Sequence, residues 1–433
     1  MSEGQSVSES QSVSESQSVS EPVGAEARVP DWLRRRIGRA DAAVPSRGGT
    51  VGAPRELVEL PGGGAERITR FDLGALHGSW PLADVLKADS AVLARLGKDR
   101  ALAEIDPARA AFLDIETTGL SGGTGTWPYL VAIGRVVDGE FELWQGFMHA
   151  PGDEVAVMRA TAERLRSAGQ VVSFFGKSFD RHRLEDKMRQ HGITSPFEGS
   201  PHLDLYHVCR RLYGGAYSDG RLATMERELC DVRREDDLPG SFAPAAWFDY
   251  QAGRPHLLED VFKHNLDDVL SLVTLTAHVA RSLDERDHAG RELSGDGLAR
   301  ARGLAKLAAE RKDGPQQLRW LELGIGRVDR DAAPALHRSL ELERTSALER
   351  VGEPERAILE LLRLIEGGDE FAARGSVRAA LLLQRAKRLE EALVVARQGR
   401  ELVDRRLHGA ERLRSLEQLD RRIEALEARL ART

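Results

Sequence analysis

The chain has 433 residues, of which 41% are hydrophobic and 30% charged, and its formal net charge at pH 7 is −7. That length accommodates two or three domains, and the composition argues against a membrane-spanning protein because no apolar run approaches the length of a membrane span. Cys209 and Cys230 are too few for a disulfide framework or a cysteine-ligated zinc site, and the N-terminus lacks the layout of a signal peptide, so we expect a cytoplasmic protein.

Residues 1–54 differ in composition from the rest of the chain. A Gln-Ser-Val-Ser-Glu-Ser unit begins at Gln5, Gln11 and Gln17, and this stretch has almost no bulky side chains. Such a segment cannot bury enough apolar surface to become ordered. We therefore expect residues 1–54 to be a disordered, low-complexity arm, including the short basic segment at 32–37. The glutamates of the arm supply much of the net negative charge, so the net charge says little about partners.

The pattern of residues 55–285 predicts an α/β domain. Alternating or continuous apolar stretches indicate strands, and apolar residues at helical spacing indicate helices. The predicted order around the centre of the domain is βββαβ, with a mixed sheet flanked by helices. The predicted elements are a hairpin at 56–73, short helices at 81–102, strands at 112–117, 129–137, 141–148, 171–175 and 202–205, helices at 154–168, 222–229 and 257–279, and a loop at 233–247.

Two carboxylates stand at the end of the strand that begins at Phe112. Asp114 and Glu116 share one face of this strand because side chains alternate, and a glycine turn follows. Two adjacent anions repel each other and favour a compensating charge. A hard divalent cation such as Mg²⁺ takes ligands of this kind. A solvated strand end without a function is the alternative that the pair alone leaves open.

Further acids and one histidine follow at two places. Asp180 stands where a helix begins after a buried strand, a position that an aspartate also takes as a helix N-cap. On the long helix at 257–279, His264 and Asp268 are four residues apart and share a face, and Asp267 lies one residue around the helix. A surface location is the alternative for each of these residues.

Together these segments resemble the DEDD exonuclease superfamily of the ribonuclease H-like fold, and in particular its YprB-type bacterial branch. The residues at 114–120, Asp-Ile-Glu-Thr-Thr-Gly-Leu, resemble the first exonuclease motif. The second motif resembles Phe-Gly-Lys-Ser-Phe-Asp at 175–180, and the third resembles His-Asn-Leu-Asp-Asp at 264–268. The resemblance covers roughly residues 55–280 and includes the loop at 121–130 and the segment at 202–205.

The resemblance implies a 3′→5′ exonuclease that hydrolyses DNA or RNA from the 3′ end with two Mg²⁺ or Mn²⁺ ions. Two metals about 3.5–4 Å apart stabilise both the attacking and the leaving oxygen of a phosphodiester. Asp114 would bridge both ions, while Glu116, Asp180 and Asp268 would each hold one. His264 would deprotonate or orient the attacking water.

One feature departs from the pattern of the superfamily. Its tyrosine subgroup places a tyrosine four residues before the last aspartate, and its histidine subgroup places a histidine one residue further away. Here His264 stands at the tyrosine spacing if Asp268 is the ligand. The role of His264 as a general base and the choice between Asp267 and Asp268 as the ligand therefore stay open.

The aromatic residues Trp127, Tyr129 and Phe179 are candidates to stack on a terminal base.

Residues 295–433 form an all-α region by their pattern. Similar segments begin at Glu355 and Glu390, 35 residues apart, close to the tetratricopeptide period of about 34. The region resembles a degenerate tetratricopeptide array, and a plain helical bundle is the alternative. No chemistry is visible there, so we expect it to contact a protein partner or the substrate. The final amphipathic helix, 413–430, would cap the array or pair with another chain.

Three functions remain open from the sequence. The first is the metal-dependent exonuclease. The second is a weakly active or inactive nuclease fold that serves as a nucleic-acid-binding or scaffold module, which the irregular third motif favours. The third is internal cleavage of an RNA–DNA hybrid, which uses the same fold and metals.

Overall fold

The computed structural model describes residues 49–119, 125–235, 238–283, 297–331 and 333–432. Most of the predicted arm, the segment at 32–37, part of the loop at 121–130 and the junction near residue 290 lie outside these ranges. None of the described helices has the length and apolarity to cross a bilayer.

A seven-stranded mixed sheet forms the centre of the first region, with strand order β1-β2-β7-β6-β5-β8-β9. In this order, the pairs β1–β2, β2–β7, β7–β6 and β6–β5 are antiparallel. Strand β8 pairs in parallel with both β5 and β9. The βββαβ order predicted around the strand at 112–117 is confirmed. The strands are β1 (Val58–Glu59), β2 (Ala65–Asp72), β5 (Ala111–Thr117), β6 (Pro128–Val137), β7 (Glu140–Phe147), β8 (Val171–Ser173) and β9 (His202–Asp204), and a separate hairpin contains β3 (Leu76–His77) and β4 (Trp80–Pro81).

Helices cover both faces of this sheet. They are α1 (Ser90–Gly97), α2 (Glu154–Ala168), α3 (Asp180–Gln190), α4 (Leu205–Tyr213), α5 (Leu222–Cys230), α6 (Ala243–Gln251) and α7 (Leu258–Ala280), with short 3-10 turns at 82–87, 100–104, 151–153 and 240–242. The predicted loop at 233–247 is partly wrong, because α6 begins at Ala243. Its apolar residues Ala246 and Trp247 are buried against the sheet, which favours a helix there.

Strand β5 separates two hydrophobic cores. Phe112 points into the core that contains Val269 of α7, whereas Leu113 and Ile115 point into the core that contains α2 residues such as Val157. This alternation follows from the period of two of a strand. Asp114 and Glu116 therefore lie on the same face as Phe112, the face toward the middle of α7.

The C-terminal region is helical, as predicted. Each helix packs on the next along the chain. The turns before α9, α11 and α13 contain Lys312, Gly352 and Lys387, each with a positive φ of 60°, 84° and 62° respectively. These turns recur at spacings of 40 and 35 residues. The helices are α8 (Gly297–Glu310), α9 (Gly314–Ile325), α10 (Pro334–Arg350), α11 (Pro354–Ile365), α12 (Glu370–Arg385), α13 (Leu389–Arg406) and α14 (Gly409–Leu430).

The first helices of this region share a core with the α/β region. Leu304 of α8 and Trp320 of α9 belong to the same buried cluster as Leu212 of α4 and Val273 of α7. The division into domains at 55–285 and 295–433 stays a prediction, and the core is continuous across it.

Candidate active site

The first pair of acids is placed by β5, the central strand. Its neighbours β6 and β8 hold it on both sides, and the register with β6 shifts between Glu116 and Thr117. Asp114 and Glu116 are half-buried at the end of this strand. The ladder with β6 runs past both carboxylates, whereas β8 pairs with β5 only at Ala111 and Phe112. The pairing with β6 therefore holds the two carboxylates on strand backbone rather than on a loop.

The turn between β8 and α3 places Asp180. Phe175 adopts a left-handed φ of 65°, a conformation that L residues rarely take. The carboxylate of Asp204, at the end of β9, stabilises this turn by accepting hydrogen bonds from the backbone N–H of Phe175 (2.7 Å) and of Lys177 (3.1 Å). Asp180 is the first residue of α3 and is only 4% exposed. The N-cap position belongs to Phe179, so the capping interpretation of Asp180 does not hold.

Helix α7 brings the third motif to the same place. The side-chain amide of Asn265 donates to Asp114 Oδ2 over 2.8 Å. His264 Nε2 lies 4.0 Å from Glu116 Oε1 and 3.9 Å from Asp268 Oδ2. Asp267 instead accepts from Lys263 over 2.8 Å. Asp268, rather than Asp267, therefore shares the neighbourhood of His264.

The electrostatics of Asp114 show that the four acids are neighbours. Its pKa is raised well above the usual value, first by burial and then by repulsion from Asp268, Asp180 and Glu116. The hydrogen bond from Asn265 acts in the opposite direction and favours the charged form. Carboxylates from three distant segments of the chain thus lie within electrostatic reach of one another.

Arg234 is a cation of this cluster that the sequence interpretation did not identify. Its Nη2 donates to Asp268 Oδ1 over 2.5 Å and to Glu226 Oε2 over 2.7 Å. Its Nη1 lies 3.3 Å from His264 Nδ1. Burial raises the pKa of Glu226, and the charge of Arg234 opposes this rise. Arg234 follows α5 in the charged stretch that was predicted as a loop, and no local pattern distinguishes it from Arg233 beside it.

The donor chemistry of the cluster suits a hard divalent cation. Carboxylate oxygens are the ligands that Mg²⁺ and Mn²⁺ prefer. The raised pKa of Asp114 indicates that the cluster is stabilised by added positive charge. Within the described ranges, however, no three His, Cys, Asp or Glu side chains are already arranged around one point as metal ligands. The four acids lie near one another. Asp114 accepts a hydrogen bond from Asn265, and Asp268 accepts one from Arg234.

The aromatic candidates fall into two groups. Tyr129 is fully buried, donates its hydroxyl to the carbonyl of Ala243 over 2.8 Å and stacks on Trp247. Its predicted role in stacking on a base is therefore wrong, because no base can reach its ring. Trp127 and Phe179 are half-buried, and a cationic side chain lies over each ring, Lys187 over Trp127 and Arg183 over Phe179.

A cleft of about 610 Å³ opens beside the acid cluster. Arg234 belongs to its lining and also contacts Asp268 of the cluster. It lies between the β3–β4 turn, the segment at 231–235 and the outer side of α7 at Lys263 and Asp267. Its cationic and anionic side chains are nearly balanced in number. The cleft therefore does not by itself provide a strongly positive surface for phosphates.

Three further polar residues support the acids. Asn265 lies inside the third motif, so its position between His264 and Asp268 was a signal that the sequence offered. Asp204 belongs to the 202–205 segment, which was predicted only as a strand. Gln145 lies on β7 and donates to Asn265, and its sequence context gives no such signal.

Comparison with known proteins agrees with this architecture. Residues 111–280 match the family described as the RNase_H superfamily. The chain is also 33% identical over 228 residues to "Uncharacterized protein YprB" of Bacillus subtilis (strain 168), which covers 51% of this chain and 53% of that protein. The chain therefore spans about half the length of this relative. The mixed sheet, its flanking helices and these two matches show that residues 111–280 form an RNase_H superfamily domain, in a chain that is similar to YprB.

Proposed function

We propose that the protein is a metal-dependent nuclease, specifically a 3′→5′ exonuclease that hydrolyses phosphodiester bonds of DNA or RNA. The observation that carries this proposal is the meeting of carboxylates from three chain segments. On α7, Asn265 donates to Asp114 over 2.8 Å, and His264 lies within 4.0 Å of both Glu116 and Asp268. Asp180 is close enough for its charge to raise the pKa of Asp114. The cluster lies in a ribonuclease H-like domain, at the end of the central strand β5.

Asp114, Glu116, Asp180 and Asp268 are the residues that would hold Mg²⁺ or Mn²⁺. When bound, two such ions would activate a water and stabilise charge on the phosphate and on the leaving oxygen. The residues of the chain contribute position. Strand β5, the turn held by Asp204 and helix α7 fix the backbone of the acids on separate elements, and their side chains would converge on a bound cation.

We assign to His264 a role on an oxygen near Glu116, which is supported by the 4.0 Å between its Nε2 and Glu116 Oε1. Because a guanidinium can only donate, the contact from Arg234 assigns the acceptor role to Nδ1, and the hydrogen of the neutral ring then lies on Nε2. In this arrangement His264 orients a water or phosphate oxygen by donating to it. It serves as a general base only after Arg234 leaves Nδ1.

Labelled strands test the activity. The full chain is incubated with single-stranded DNA or RNA labelled at the 5′ or the 3′ end, with Mg²⁺ or Mn²⁺, and products are resolved to single nucleotides. We expect stepwise shortening from the 3′ end, and loss of at least a hundredfold in rate in Asp114→Asn. Asp138→Asn is the matched control, because Asp138 lies in the exposed β6–β7 turn with a φ of 50° that asparagine tolerates.

The outcome separates the three functions. Release of internal fragments from an RNA–DNA hybrid would replace the exonuclease by an endonuclease. The scaffold function is favoured by the contact of Arg234 with Asp268, which occupies one of the acids. No turnover with either metal, together with strand binding that is equal in the parent and in Asp114→Asn, would establish the scaffold function instead.

The proposal also covers the role of the C-terminal region and the location of the protein in the cell. Helices linked by left-handed turns at spacings of 40 and 35 residues support a tetratricopeptide-like array over residues 295–433, joined to a nuclease domain at 55–285. Such arrays present an extended surface. We assign to this surface the contact with a protein partner or with the nucleic acid, and we place the protein in the cytoplasm.

A further inference from the structure

Two buried amides connect β7 with the acid cluster. Gln145 and Asn265 are both completely inaccessible to solvent. Gln145 Nε2 donates to the backbone carbonyl of Phe262 over 2.9 Å and to Asn265 Oδ1 over 3.0 Å. Asn265 Nδ2 in turn donates to Asp114 Oδ2 over 2.8 Å. The three side chains form an unbroken path from a backbone carbonyl of α7 to the central acid of the cluster.

The backbone carbonyl fixes the direction of every hydrogen bond in this path. A carbonyl only accepts, so the atom of Gln145 that faces Phe262 must be the nitrogen. That nitrogen also faces Asn265, which must therefore present its oxygen to Gln145. The amide nitrogen of Asn265 is then left for Asp114, whose Oδ2 accepts from it. The orientation of Asn265 is thus determined by a residue on another element.

This arrangement has a cost that packing alone does not explain. Gln145 Oε1 is buried and has no hydrogen-bond partner among the described residues. A buried acceptor without a partner is destabilising, and most buried polar groups avoid it. An apolar side chain of the same volume at this position would fill the core without that cost. The retained amide therefore indicates a function for its nitrogen.

We propose that Gln145 and Asn265 are positioning residues that orient the Asp114 carboxylate for metal binding. They commit Oδ2 of Asp114 to a donor and fix the plane of the carboxylate before any cation arrives. Outer groups that orient metal ligands in this way typically change metal affinity by 10–100-fold when they are removed. The inference rests on the proposed function only for the identity of the cation, Mg²⁺ or Mn²⁺.

Titration of the full chain with Mn²⁺, followed by the electron paramagnetic resonance signal of the free ion, tests the inference without an activity assay. Gln145→Met removes the donor at nearly constant volume, and Asn265→Leu removes the direct contact. We expect the Kd for Mn²⁺ to rise about tenfold in Gln145→Met and about 10–100-fold in Asn265→Leu. Gln317→Met is the matched control, because Gln317 is a buried amide on α9, far from this cluster along the chain, and it should bind Mn²⁺ like the parent.

A double-mutant cycle separates positioning from general damage to the fold. If the pair acts through Asp114, Gln145→Met should change Mn²⁺ affinity less than twofold in an Asp114→Asn background, whereas a diffuse structural effect would persist there. Equal Mn²⁺ affinity of the parent and Gln145→Met, with both folded by circular dichroism, overturns the inference. If the parent binds Mn²⁺, loses affinity as predicted in the variants but releases no nucleotides, the exonuclease proposal fails and the positioning role stands. A parent that does not bind Mn²⁺ at all overturns both.

Discussion

At the scale of single residues, Asp114 is an acid whose charged form is disfavoured both by burial and by neighbouring charge. Burial and three neighbouring carboxylates disfavour its charged form, and the amide of Asn265 favours it. The cation proposed for this site would offset that cost. Arg234 has a comparable role at Asp268, where it supplies the positive charge that is present without a metal.

The raised pKa of Asp114 predicts how stability depends on pH in the absence of metal. A carboxyl group whose pKa is higher in the folded than in the unfolded state stabilises the fold fully below its unfolded pKa, and this contribution is lost as the pH rises through the folded pKa. Asp114→Asn should therefore unfold at a higher urea concentration than the parent at pH 8 in EDTA. This difference should shrink as the pH falls toward 4. Urea midpoints measured across this range check the prediction.

Addition of metal should reverse the comparison. A ligand present at a hundred times its Kd stabilises the folded state by about 2.7 kcal/mol, and only the parent keeps the full ligand set. With excess Mn²⁺ at pH 8, the parent should become the more stable protein. Asp138→Asn serves as the control and should follow the parent in both conditions. Equal urea midpoints of the parent and Asp114→Asn at every pH would contradict the conclusion that the charged form of Asp114 destabilises the metal-free fold.

At the scale of elements, the turn from β8 to α3 decides where Asp180 lies. The turn combines a left-handed Phe175 with Gly176. The atoms around Gly176 leave no room for a side chain at this position. A Cβ at Gly176 would lie 2.6 Å from Ser173 Cβ and 2.9 Å from Asp180 Oδ2. Close approach of the backbone to Asp180, rather than a special φ, is thus the reason for glycine here.

Gly176→Ala should displace Asp180 and weaken metal binding. Overpacking of this kind costs about 1–3 kcal/mol, and we expect the Kd for Mn²⁺ to rise about tenfold. Gly152→Ala is the matched control, because a Cβ there meets no atom within 4 Å. Thermal unfolding and Mn²⁺ titration measure the two effects. Unchanged Mn²⁺ affinity in Gly176→Ala would show that Asp180 does not depend on the geometry of this turn.

At the scale of the whole molecule, α8 joins the helical region to the α/β region. Gly303 of α8 packs directly on the backbone of α4, where an added Cβ would lie 2.8 Å from the carbonyl carbon of Leu212. The shared core and this close contact predict that the two regions unfold together. The division into two domains stays a prediction, and we expect the residues on both sides of the junction to unfold as one cooperative unit.

Gly303→Ala should separate the two regions. Alanine gains up to about 1 kcal/mol of helix propensity, but the clash with the α4 backbone forces the helices apart and should give net destabilisation of about 1–3 kcal/mol. Gly324→Ala on α9 is the control, because its Cβ would make only ordinary contacts at 3.5 Å or more and should leave stability equal or higher. Tryptophan fluorescence and far-ultraviolet circular dichroism should show one transition in the parent and two in Gly303→Ala. Two transitions already in the parent would contradict the coupling.

The sequence by itself determined the α/β order, the helical C-terminal region and the candidate acids at 114, 116, 180 and 267–268, because periodicity and motif spacing are local properties of the chain. Tertiary structure decided that Asp268 rather than Asp267 faces the cluster, that Tyr129 is enclosed, and that Arg234 and Gln145 belong to the site. These outcomes depend on contacts between residues far apart, such as the 120 positions between Gln145 and Asn265 and the 151 between Asn265 and Asp114. No local pattern encodes such contacts, since they form only when β5, β7 and α7 come together in the folded chain.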